Sequence, residues 1–192
     1  MPRNRQQQKN LRRPTKIIQI KYLIALACGS VSGLISSLII NFPEDHTLLW
    51  FPGTIFGLFF SCYYLWATSS HQSRLKDLMW LLFIGLSTAA YFAATVVFVN
   101  LFKGFWFHGV MAGFTGSVIL VLSIWLCSLR MPSWRNAMIT LLMGSVLGSL
   151  SIFASASYIL FVPWQTVVFV GLVSILPKDL LEDNTKKAEP QC

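Results

Sequence analysis

The chain has 192 residues, of which 55% are hydrophobic and 11% charged, and a formal net charge of +8. That is more apolar material than one soluble core of this size buries, so a soluble globular domain is excluded and lipid is the expected solvent. The basic excess does not point to nucleic acid, because no folded basic domain or aromatic stacking motif accompanies it.

Residues 1–21 contain Arg3, Arg5, Lys9, Arg12, Arg13, Lys16 and Lys21 and read as a basic cytoplasmic arm. On anionic lipid each cation could contribute about 1 kcal/mol. Beyond it, no Asp, Glu, Lys or Arg occurs in 22–43, 46–73, 78–102, 104–129 or 136–177. Crossing about 30 Å of hydrocarbon takes about 20 helical residues. The first four runs each fit one crossing and the last fits two.

The sequence therefore predicts an all-α integral membrane protein. Its six-transmembrane-helix bundle occupies 22–177, with helices near 22–41, 48–68, 78–99, 105–127, 137–160 and 162–177, and a flexible cytoplasmic tail at 178–192. Helices are preferred to strands because the runs are continuously apolar instead of alternating. The first is expected to be retained and not cleaved as a signal peptide: it is long, has no small-residue cleavage site and leads into further spans.

With Met1 inside, six crossings put 14 of the 15 Lys and Arg residues on the cytoplasmic face and only Lys103 outside. This is a positive-inside pattern with both termini cytoplasmic, as expected for a multi-pass protein of the cell membrane. Tryptophans are expected at the headgroup boundaries: Trp50, Trp106 and Trp164 at the outer edge, and Trp66, Trp80, Trp125 and Trp134 at or beyond the inner one.

A period of about 56 residues relates Gly29 to Gly85, Trp50 to Trp106, Gly53 to Gly109 and Gly57 to Gly113; Gly144, Trp164 and Gly171 fit a third copy. In each copy the even-helix glycine lies seven residues after the tryptophan. The expectation is three tandem two-helix hairpin repeats of the same orientation. Gly29 with Gly33, Gly53 with Gly57, Gly109 with Gly113, and Gly144 with Gly148 form Gly-x-x-x-Gly pairs, and Ser151 extends the last stripe. Such faces let helix backbones approach closely, within the chain or in a homo- or hetero-oligomer. The hydroxyls of Ser30, Ser32, Ser145 and Ser149 either line an uncharged path or bond to their own helix carbonyls.

No ionisable residue falls at mid-span, which argues against proton or ion coupling of the usual kind. No nucleophile-base pair, His/Glu cluster or phosphate-cradling loop occurs, so no catalytic residue, metal or cofactor is expected. Of the four cysteines, Cys28, Cys62 and Cys127 read as small hydrophobes within spans. Cys192 lacks the three following residues that prenylation needs. Glu44, Asp45, Lys103 and His108 are the candidates for a polar site on the outer face. Pro43, Pro52 and Pro163 read as turns and helix starts. The leading functional expectation is a small permease-like or transport-associated membrane component. The alternative is an accessory or assembly subunit that acts through its glycine faces.

Overall fold

The computed structural model describes residues 5–40, 51–67, 74–98, 107–128, 133–150 and 157–176. Six helices and no strand occur among them: α1 (Arg5–Ile40), α2 (Phe51–Ala67), α3 (Arg74–Phe92), α4 (His108–Ser128), α5 (Trp134–Gly148) and α6 (Ser157–Ile175). A π-helical turn, Ala93–Phe98, continues α3. Two stretches, Ile18–Ile40 and His108–Cys127, are long and apolar enough to cross a membrane, and Trp80–Thr95 and Ile159–Ile175 are shorter apolar helices.

Three boundaries differ from those expected: α5 ends at Gly148, whereas the sequence predicts a helix to 160. The first helix begins at Arg5, so most of the basic arm is helical backbone continuous with the apolar run. The last begins at Ser157 and carries Pro163 in its interior, whereas the sequence suggested a turn there. A proline gives up one backbone hydrogen bond in a helix, a loss that neighbouring helices can offset.

Each helix packs on the next in sequence, and α6 packs extensively against α1, closing a ring. Aromatic side chains fill its centre. Phe60 of α2 lies 4.9 Å from Phe83 and 5.0 Å from Phe169, ring centre to ring centre, and Tyr64 stacks on Trp80 at 3.7 Å. Tilted and edge-on arrangements of this kind suit the charge distribution of aromatic rings. The outside is apolar as well: Leu23, Leu26 and Leu34 on α1, Leu81 and Leu82 on α3, and Leu142 and Val146 on α5 are exposed. The interior holds Ser32, Ser36, Ser87, Ser117, Thr140 and Gln165. An apolar exterior around a partly polar interior inverts the usual arrangement of a water-soluble bundle.

At one end of the ring, Lys21 Nζ donates to the carbonyl of Ala67, the last residue of α2, at 3.1 Å. The cation meets the negative end of that helix dipole. Tyr63 Oη donates to the Lys21 carbonyl at 3.2 Å, tying α1 to α2 a second time.

Candidate functional site

Glycines determine which backbones come close. A side chain at Gly33 would put its Cβ 2.7 Å from Val162 Cα, and one at Gly29 would lie 2.8 Å from Thr166 Cα, both on α6. Gly53 and Gly57 meet α3 similarly, 2.9 Å from Thr88 Cα and 2.8 Å from Ile84 Cα. Gly113 and Gly148 face one another across α4 and α5, each Cβ position 2.9 Å from the other's Cα. Gly109 is buried in the same contact, where its carbonyl faces Gly148. Gly144 abuts Ser117, and Gly171 abuts Thr140. Gly85 differs: it is exposed, and a Cβ there meets nothing within 4 Å. Ser151 lies outside the described residues.

Close approach brings polar groups into hydrogen-bonding range across helices. Ser32 and Ser36 stand one turn apart on α1 and grip the amide of Gln165 on α6. Ser32 Oγ donates to Oε1, and Nε2 donates to Ser36 Oγ at 3.0 Å. Ser30 and Thr166 share a further bond at 3.0 Å. Between α2 and α3, Ser87 Oγ donates to the Gly53 carbonyl at 2.8 Å, and Thr54 and Thr88 bond at 2.9 Å. Ser145 and Ser149 instead donate to their own helix, to the carbonyls of Leu141 and Val146. The two readings of the serines therefore divide by position. Ser30 and Ser32 of α1 reach across to α6, whereas Ser145 and Ser149 of α5 bond back to their own helix although each follows a close-contact glycine.

A cavity of about 110 Å³ lies at the end of the ring where α3 finishes and α4 begins. Tyr91, Ala94 and Thr95 wall it from α3 and its π-helical turn, Gly109, Ala112 and Gly113 from α4, Gly148 from α5, and Leu160, Phe161 and Trp164 from α6. The glycines give it a floor of bare backbone, and Tyr91 and Phe161 close one side with ring centres 5.9 Å apart. Trp164 is fixed by donation from Nε1 to the Gly144 carbonyl at 3.1 Å. Ala94 and Thr95 belong to the π-helical turn, a distortion that is frequent at functional sites. The lining suits a small, mostly apolar molecule.

The tryptophans expected at headgroup boundaries divide in the same way. Trp66 and Trp125 are exposed, whereas Trp80 is 2% exposed within the aromatic core and Trp164 faces the cavity. Trp50 and Trp106 lie outside the described residues, as do Glu44, Asp45 and Lys103. His108 is the first residue of α4 and is half-buried. No grouping of three or more metal-ligating side chains occurs among the described residues. The sequence reading missed Tyr91, Thr95 and the amide of Gln165. The available signal was a lone glutamine in a 42-residue run without charge, since a side-chain amide in apolar surroundings requires partners. Comparison with protein-family models, curated proteins and solved structures finds no match for this chain, so its functional reading rests on this geometry.

Proposed function

We propose that the chain is a six-span membrane protein, both termini cytoplasmic, whose helix ring holds a small and mostly apolar molecule as part of a permease-like activity. The observation that carries this reading is the cavity of about 110 Å³ among α3, α4, α5 and α6, built on glycine backbone and walled by Tyr91, Phe161 and Trp164. Immersion in lipid is supported by the exposed leucines of α1, α3 and α5 and by the one-sided distribution of Lys and Arg. An engineered apolar cavity of roughly 150 Å³ binds benzene, so the volume suits a ligand of a few heavy atoms.

The accessory-subunit reading needs glycine faces free for another protein. Gly29, Gly33, Gly53, Gly57, Gly113, Gly144, Gly148 and Gly171 lie against helices of this same chain, which favours the permease-like reading. The test is uptake and binding in liposomes containing the purified protein, with Ala112→Phe, which puts bulk at the cavity wall, as the control. Uptake or binding of small apolar solutes that the substitution abolishes is expected. Failure across a broad panel, with a defined partner co-purifying in mild detergent, would favour the accessory role.

A further inference from the structure

Gln165 is 1% exposed, and its amide has two N–H donors. One goes to Ser36, while Oε1 accepts from Ser32. The second N–H has no acceptor among the described residues. Gln165 also lines a separate void of about 10 Å³, together with Ser87, Tyr91 and Trp164. That is close to the space one water-sized group occupies. Tyr91 and Trp164 line both this void and the larger cavity; Phe56, Ala90 and Leu120 make most of the void's wall apolar, and Ser87 and Gln165 add polar groups to it.

We infer that the molecule held by the ring is neutral, with an apolar body in the larger cavity and a hydrogen-bond-accepting oxygen that takes the second Nε2 proton of Gln165. The inference rests on the larger cavity being the ligand site. Ser87 Oγ donates to the Gly53 carbonyl at 2.8 Å, and no bond from Gln165 to its hydroxyl oxygen occurs among the described residues. An ionic ligand does not fit, because no charged side chain lines either void among the described residues and a desolvated charge needs a partner.

The test compares two probes of one shape, cyclopentane and cyclopentanone, with the full chain in lipid nanodiscs. Binding is read by saturation-transfer NMR, with empty nanodiscs correcting for partition into lipid. One added hydrogen bond predicts about three- to tenfold tighter binding of cyclopentanone. Gln165→Leu should remove that preference. Equal binding of the two probes by the unmodified protein would overturn the role of Gln165 while leaving the apolar cavity as a ligand site. Binding of neither probe would overturn both. The comparison in the unmodified protein decides the matter even if Gln165→Leu does not fold.

Discussion

Gly33→Ala probes the close approach of α1 to α6. The added Cβ would lie 2.7 Å from Val162 Cα, whereas ordinary contact begins at 3.4 Å. Because the atom it meets belongs to the backbone, no rotamer change relieves the overlap, and α1 and α6 must part locally by about 0.7 Å. A gap of that size forfeits roughly a quarter to a half of the dispersion attraction at the flanking contacts. Overpacking of this kind typically costs about 1–3 kcal/mol. The Ser30–Thr166 bond and the Ser32–Gln165–Ser36 clamp cross the same interface and stretch with it. Interhelical bonds of this type average about 0.6 kcal/mol in membranes. A net destabilisation of about 2 kcal/mol is therefore expected, read as a lower denaturant midpoint in mixed detergent micelles. Gly85→Ala is the matched control: a Cβ there meets nothing within 4 Å, and alanine's helix preference makes it neutral or stabilising by up to about 1 kcal/mol. Equal stability of the two variants would refute this account of the glycines.

Three further outcomes follow from named contacts. Asn136→Ala removes the 2.7 Å bond from Nδ2 to the Ser174 carbonyl between α5 and α6, and should cost about 1 kcal/mol in the same unfolding assay. In single-tryptophan variants, bromine-labelled lipid should quench exposed Trp66 and Trp125 strongly and Trp80 weakly, since Trp80 lies in the aromatic core; equal quenching of all three would contradict the ring packing. Trp164→Phe loses the bond to Gly144 and one wall of the cavity. It should weaken binding of a small apolar solute several-fold and leave the helical circular dichroism unchanged.

Charge-free runs located the helices: each observed element overlaps one of those runs, and α1 extends beyond its run to Arg5. The end of α3 and the start of α6 were less legible. A π-helical turn leaves no mark in composition, and Pro163 carries the signal of a turn even where a helix absorbs it. Glycine spacing reported a face without bulk but not the partner that meets it. Gly29 and Gly33 therefore gave no indication that α1 closes the ring on α6 instead of packing within a hairpin. Likewise Trp80 looked like an interfacial residue, because sequence position alone does not separate an indole facing lipid from one stacked on Tyr64. Gln165 lies two residues after Pro163, whose turn signal conceals their shared place inside a helix. Only the approach of Ser32 and Ser36 from the other end of the chain gives the amide its setting.

The six-span arrangement is tested most directly by paired reporter fusions, one active only in the cytoplasm and one only after export, placed at Cys192 and within residues 43–47. Cytoplasmic activity at Cys192 with export activity at 43–47 is the predicted result, and an exported reporter at Cys192 would contradict it.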